Sequence, residues 1–218
     1  MAWSVRASSQ SRRSFPGGEA NHCFKFIIGL DISCERIFDN LTPMQLTALP
    51  AMADNYIWML HNGSEAVVCD PGEAGPAIDA LRRQGLALAA ILVTHRHADH
   101  IGGVNTLYRQ CGNPDTQVYL PAADGLADST FSAVPARALQ RCSHGDALQI
   151  LGLRVIVLDM PGHTAGHIAY FAERQSGLEQ PFVLCGDTLF SAGCGRIFEG
   201  TPLQMYASLQ KLAALPDE

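Results

Sequence analysis

The stretch "THRHADH", residues 94–100, places three of the chain's eight histidines and one aspartate within seven positions. It follows the apolar run "AAILV", which predicts a buried strand, and polar groups at the end of such a strand stand on a rigid scaffold. Two histidines in H-x-H spacing can converge on one cation, and the aspartate and histidine that follow can reach a second. A solvated loop or a helix start with incidental histidines is the alternative, but neither needs four potential ligands in six residues. The spacing therefore predicts a site for two metal ions.

Two further stretches repeat this pattern. In "LDMPGHTAGH" (158–167), His163 follows another apolar run at a turn that Pro161 and Gly162 favour. His167 begins the next strand, so we expect it to orient a ligand rather than to bind a metal. In "PFVLCGDTLF" (181–190), Asp187 follows a third apolar run, where a carboxylate can bridge two cations. Imidazole and carboxylate ligands suit zinc, iron or manganese, and a set without thiolate is more often catalytic than structural.

The composition excludes several classes of function. The chain has 218 residues, 47% of them hydrophobic, which is enough for one sizeable core. A formal net charge of −6 with only two lysines leaves no basic stripe for nucleic acid. The longest apolar stretch, residues 86–93, is shorter than the roughly 20 residues that span a bilayer, so no membrane partner is expected. Seven cysteines without a C-x-x-C pair fit a reducing, cytoplasmic compartment, and we expect a monomer.

The domain is expected to cover residues 44–218. Residues 1–43 show neither a strand nor a helix period, and they are expected to be a disordered or non-native extension. Their first 20 residues hold three arginines and five serines against one acid, so a mitochondrial or other organellar transit peptide is the alternative.

Strands and helices can be placed coarsely along this domain. The Asn-Gly turn between "YIWMLH" (56–61) and "EAVVCD" (65–70) predicts a hairpin. Helices are predicted at "GPAIDALRRQG" (75–85), at "IGGVNTLYRQCG" (101–112) and after Thr201, where Leu203, Tyr206, Leu209 and Leu212 mark one apolar face. Short strands fill most of the remainder, so sheets flanked by helices are expected.

The motifs T-H-x-H-x-D-H, P-G-H-T-x-G-H and G-D-T together resemble the metallo-β-lactamase superfamily. "DNYIW" (54–58), "VVCDPGEA" (67–74) and "GDTLFSAGCGRIFEGT" (186–201) are similar to its hydroxyacylglutathione hydrolase, or glyoxalase II, family. The resemblance covers about residues 44–218. It implies an α/β fold, an αββα sandwich with a dinuclear site, usually two Zn²⁺, at one edge of the sheets.

The resemblance also implies roles for individual residues. One metal would be held by His95, His97 and His163, and the other by Asp99 and His100, with Asp187 as the bridge between them. Arg196 stands where the family binds the glutathione part of its substrate. Phe198 stands where some members have a tyrosine, so a hydroxyl contact is lost there. Asp70 would support the metal ligands from behind.

The resemblance ends before one family feature. The family takes a further histidine for the second metal from a "GHEYT"-like motif, followed by a helical region that grips glutathione, whereas this sequence ends at "LPDE" (215–218). We therefore expect a fragment of a longer product; a shortened protein with a weak second metal site is the alternative. His22, His61 and His144 lack the strand-end context and are not expected to be ligands.

The chemistry that the resemblance implies is the hydrolysis of S-lactoylglutathione to D-lactate and glutathione, in methylglyoxal detoxification. The sequence contains no G-x-S-x-G, H-E-x-x-H or nucleotide-binding motif, which leaves a metal-activated water as the nucleophile, with Asp99 placed to orient it. Two alternatives stay open: a persulfide dioxygenase of the same superfamily, and a truncated, catalytically weak metal-binding chain.

Overall fold

Ten strands form two sheets within residues 43–216, the part of the chain that the computed structural model describes. The first sheet contains β1 (Gln45–Ala51), β2 (Asn55–His61), β3 (Glu65–Cys69), β4 (Ala87–Leu92), β5 (Gln117–Pro121) and β6 (Leu139–Cys142), side by side in that order. Strands β1 to β3 pair antiparallel, and β3 to β6 pair parallel. The expectations for the N-terminal extension and for His22 lie outside the described residues.

The second sheet is antiparallel throughout. It contains β7 (Ala147–Ile150), β8 (Leu153–Asp159), β9 (Ile168–Ala172) and β10 (Phe182–Leu184), in the spatial order β10-β9-β8-β7. The helices are α1 (Gly75–Gln84), α2 (Ala98–Ile101), α3 (Val104–Cys111) and α4 (Pro202–Ala213), and two short 3-10 helices cover Asp128–Phe131 and Ala136–Ala138.

Three apolar layers hold these elements together. In β2, Ile57 and Met59 pack with α1 and α3 on one face, whereas Trp58 and Leu60 pack against the second sheet on the other. A third, smaller cluster around Met160 and Cys185 includes Leu212 of α4. Because side chains alternate between the faces of a strand, the continuous apolar runs bury both faces of the first sheet. The result is the expected αββα sandwich. In the described part of the chain, no helix is long and apolar enough to cross a membrane.

Most predicted elements are confirmed. The hairpin turn is held by the Asn62 side chain, which accepts hydrogen bonds from the backbone N–H groups of Ser64 and Glu65 at 3.0 and 2.8 Å. Helix α1 ends at Gly85 in the left-handed conformation, at φ 66°. Thr201 caps α4 by accepting from the Gln204 N–H at 3.2 Å.

Two predictions about helices were wrong in detail. The helix expected over 101–112 begins only at Val104, after a separate short helix at Ala98–Ile101; between the two, the N–H of Gly103 donates to the Pro71 carbonyl at 2.8 Å instead of to a helical carbonyl. The predicted apolar face of α4 is only half buried, since Leu209 and Leu212 are partly buried but Leu203 and Tyr206 are 76% and 60% exposed. The helix packs through Met205 and through Ser208, whose hydroxyl donates to the Pro161 carbonyl at 2.8 Å.

Candidate metal centre

Three imidazoles converge where β4 and β8 end. The Nε2 atom of His95 lies 3.0 Å from Nδ1 of His97, which lies 2.9 Å from Nε2 of His163. His95 and His163 are 0% and 3% exposed. Three nitrogens on ideal zinc bonds of about 2.05 Å would stand about 3.3 Å apart, close to this spacing. The arrangement therefore has the dimensions of a metal site.

Hydrogen bonds behind the rings fix which nitrogens face the centre. Nδ1 of His163 lies 2.6 Å from the Arg196 carbonyl, to which it donates, so in the neutral ring the lone pair that can bind a metal is on Nε2. Nδ1 of His95 lies 3.1 Å from the Thr94 hydroxyl, which in turn donates to Asp70 at 2.8 Å. Ligand histidines are usually oriented in this way. Burial, together with the neighbouring histidines, lowers the pKa of His95, which favours the neutral ring that a metal requires.

Asp187 lies between two groups of possible ligands. Its Oδ2 is 3.3 Å from Nε2 of His163, and its Oδ1 is 3.1 Å from Nε2 of His100. Asp99 lies on the His100 side, where its Oδ2 is 3.4 Å from the same His100 nitrogen. The atoms of one group, His95, His97 and His163, and of another, His95, His100 and Asp187, each fall within 4.8 Å of one another.

Negative charge surrounds His100. Burial opposes a charge on this ring, but the carboxylates of Asp70, Asp187 and Asp99, at 3.0, 3.1 and 3.4 Å from its nitrogens, raise its pKa well above the ordinary value. The hydrogen bond with His100 is also the main cause that lowers the pKa of Asp99. A pocket in which several carboxylates surround one imidazole attracts a cation, so this donor set also fits a bound metal.

Asp70 and His167 support the centre from behind. Asp70 is 2% exposed, has a positive φ of 52° and accepts from the backbone N–H of Thr94 at 2.8 Å. His167 stacks on His95 with ring centroids 4.8 Å apart, and its Nε2 accepts from the Asp187 N–H at 3.1 Å. Burial lowers the pKa of His167 to about 3. Both residues lie where supporting groups were expected.

Arg196 and Phe198 lie at the mouth of the site. The Phe198 ring is 57% exposed, and its centroid is 5.3 Å from the rings of both His97 and His163. The Arg196 guanidinium carbon is 5.2 Å from the Phe198 ring centroid. An exposed cation and an aromatic face are therefore available beside the three imidazoles.

His61 and His144 belong to neither group of possible ligands. His61 is buried in β2 at 4% exposure. His144 lies in the exposed turn before β7, where its Nδ1 accepts from the Asp159 N–H at 3.2 Å.

Several residues around the site were missed by the sequence analysis. Asn55 donates from Nδ2 to Oδ2 of Asp99 at 3.1 Å. Asp124 lies behind the ligand loops, and Glu199 forms an ion pair with Arg96. Asp124 lies three residues after the end of β5, in a stretch that looks like an ordinary turn, so the sequence carries no signal for its role. Asn55 stands inside the motif "DNYIW", but as a single residue it carries no signal.

The metallo-β-lactamase superfamily model matches residues 54–218. The chain belongs to the metallo-β-lactamase superfamily. It is also 52% identical over 174 residues to a hydroxyacylglutathione hydrolase of Albidiferax ferrireducens, a match that covers 80% of this chain and 63% of that protein. The chain thus spans less than two thirds of the length of this relative.

A solved metallo-β-lactamase structure agrees with this superfamily assignment, and a second solved structure has a similar fold. BLEG-1, a B3 metallo-β-lactamase, superimposes with a TM-score of 0.63 at 28% identity and covers 79% of this chain and 87% of its own. A protein called TTHA1623, in a di-iron-bound form, superimposes with a TM-score of 0.58 at 29% identity and covers 77% of this chain and 85% of its own. Each of these two alignments covers more than three quarters of this chain.

Proposed function

We propose that this chain is the catalytic domain of a metal-dependent thioester hydrolase that acts on S-(2-hydroxyacyl)glutathione, with S-lactoylglutathione as the substrate. The observation that carries the proposal is the position of Asp187, one oxygen of which faces His163 while the other faces His100. A carboxylate placed in this way suits two metal ions that share one ligand. The name of the relative that is 52% identical supports the substrate class.

The proposed ligands divide into two sets. We assign His95, His97, His163 and Asp187 to one ion, and Asp99, His100 and Asp187 to the other. Zn²⁺ is the proposed metal because the first set offers three imidazole nitrogens and one carboxylate oxygen, a donor set that zinc commonly takes. Iron is the alternative, given the di-iron form of a neighbour at 29% identity. When bound, the metals would lower the pKa of a water so that it can attack as hydroxide near neutral pH. Their positive charge would also stabilise the oxyanion.

The remaining residues bind and orient the reactants. The exposed Arg196 guanidinium pairs with a carboxylate of glutathione, and the Phe198 ring covers the adjacent part of the substrate. Asp99, held by Asn55 at 3.1 Å, accepts a hydrogen bond from the attacking water and orients it. The glutathione thiolate is a good leaving group, since a thiol pKa near 8.5 requires little help from a general acid. We further propose a monomeric, cytoplasmic protein.

The test compares two reactions in the metal-loaded chain. We expect S-lactoylglutathione to be hydrolysed, measured by the loss of thioester absorbance, and we expect His163→Ala to reduce the rate by at least 100-fold, whereas the exposed control His144→Ala leaves it unchanged. The wild-type rate should itself be low, because the second ligand set has three donors within the described residues. Oxygen uptake with glutathione persulfide and no hydrolysis would instead favour the dioxygenase. If the chain binds metal but catalyses neither reaction, the result would favour a metal-binding chain without catalysis.

A further inference from the structure

The loop that follows β5 reaches both ligand loops of the metal centre. Asp124 in this loop is 1% exposed. Its Oδ2 accepts from the backbone N–H of Arg96 at 2.6 Å, and its Oδ1 accepts from the backbone N–H of Gly166 at 3.1 Å. Arg96 stands between His95 and His97, and Gly166 stands between His163 and His167. One buried carboxylate therefore joins the two loops that carry the three imidazoles.

The contact between the His163 loop and the loop that follows β5 leaves no space for a side chain at Gly166. A Cβ atom on Gly166 would lie 2.3 Å from the backbone carbon of Ala123 and 2.3 Å from the backbone nitrogen of Asp124. These distances are far below van der Waals contact, so the residue at 166 must be glycine for the loops to approach this closely. Backbone packing therefore holds the His163 loop against the loop that follows β5, and the two hydrogen bonds of Asp124 tie that loop to both ligand loops.

A second link closes the same loops on the outside. The Glu199 side chain pairs with the Arg96 guanidinium through one oxygen and accepts from the backbone N–H of Ala165 through the other, at 3.0 Å. This pair is partly exposed, with 42% and 26% of the two side chains accessible, so we expect it to contribute less than the buried bonds. The buried carboxylate is the stronger of the two links.

We propose that Asp124 is a positioning residue, whose carboxylate fixes the distance between the His95–His97 loop and the His163 loop and so sets the geometry of the three-imidazole site. The inference rests on the proposed metal centre. It gives Asp124 no contact with substrate or metal. Asn at this position keeps the shape but replaces one accepting oxygen by an NH₂ group, which would face a backbone N–H and break one of the two links.

The test measures metal binding rather than catalysis. Apo-protein is titrated with Co²⁺ in competition with a chelator, and the visible spectrum of the Co²⁺ form reports the coordination geometry. We expect Asp124→Asn to weaken Co²⁺ binding by about 10- to 100-fold, the range typical of partners that orient metal ligands, and to change the spectrum. Asp146→Asn is the matched control, because that carboxylate also accepts from a backbone N–H, that of Ser143 at 2.7 Å, but away from the site.

A second variant separates positioning from folding. Gly166→Ala keeps the Asp124 carboxylate but pushes the His163 loop away from it, so this variant should weaken Co²⁺ binding in the same way. It replaces Asp124→Asn in the test if that variant does not fold. The proposal is overturned if Co²⁺ affinity and spectrum stay at the wild-type values in folded variants, or if both variants fail to fold without metal, which would assign Asp124 to the fold. If wild type binds Co²⁺ but hydrolyses no thioester, the proposed function fails and this inference stands. If wild type binds no Co²⁺, both fail.

Discussion

Replacing Gly186 by alanine would disturb the segment that places Asp187. Gly186 has a positive φ of 49°, and a Cβ atom there would lie 2.4 Å from the Thr94 hydroxyl oxygen and 2.6 Å from Nε2 of His167. Thr94 and His167 are 0% and 1% exposed, so neither can move into solvent. The substitution therefore combines an unfavourable backbone conformation with overpacking of the groups behind the metal centre.

The expected loss of stability can be estimated from these two effects. A left-handed conformation costs an L-residue about 1–2 kcal/mol, and overpacking a filled interior costs about 1–3 kcal/mol. We therefore expect Gly186→Ala to lower the free energy of unfolding by about 2–5 kcal/mol. Gly145→Ala is the matched control, because Gly145 has a φ of 84° but no atom within 4 Å of its Cβ position, so only the backbone effect applies.

Urea denaturation of both metal-free variants measures the difference. We expect Gly186→Ala to be less stable than Gly145→Ala by about 1–3 kcal/mol, the overpacking contribution alone. The metal-loaded Gly186→Ala variant should also retain less metal, since the Asp187 carboxylate is displaced with its backbone. Equal stabilities, within about 0.5 kcal/mol, would refute the reasoning that Gly186 is packed tightly against Thr94 and His167.

Two other predictions concern Arg196 at the mouth of the site and the start of the domain at Met44. If Arg196 pairs with a glutathione carboxylate, Arg196→Ala should raise KM for the thioester by about 10- to 100-fold, the equivalent of losing a charge-assisted hydrogen bond. The control Arg174→Ala, at an exposed position, should leave KM unchanged. An unchanged KM in Arg196→Ala would leave Arg196 without a binding role. Since β1 begins at Gln45 and the Met44 N–H already bonds to the Gly177 carbonyl at 3.3 Å, a chain that begins at Met44 should keep its metal content and its unfolding free energy within about 1 kcal/mol. A larger loss would show that residues 1–43 stabilise the domain.

The convergence of the predicted ligands could be anticipated from the sequence because each follows an apolar strand. His95 follows β4, His163 follows β8 and Asp187 follows β10, and the structure brings all three to one edge of the sandwich. The local signal, an apolar run and then a metal-binding side chain, was sufficient to predict which segments meet.

The supporting groups could not be identified in this way. Asp124 in "PAADG" looks like an ordinary turn residue, and its role depends on two loops that are distant in sequence, at Arg96 and Gly166. Strand β6, "LQRC", lacks an apolar run and was not predicted. Helix α4 offers two possible faces at helical spacing, and only tertiary packing shows that Met205, not Leu203, is buried.

The number of metal ions that the chain retains tests the central claim most directly. In the proposed assignment the first ion has four donors, His95, His97, His163 and Asp187, whereas the second has Asp99, His100 and the shared Asp187 among residues 43–216. We therefore expect elemental analysis after dialysis to find one firmly held ion per 218-residue chain, a second only with excess metal, and none in His163→Ala. Two ions retained after dialysis would contradict the assignment of the second set, and none retained would contradict the metal centre itself.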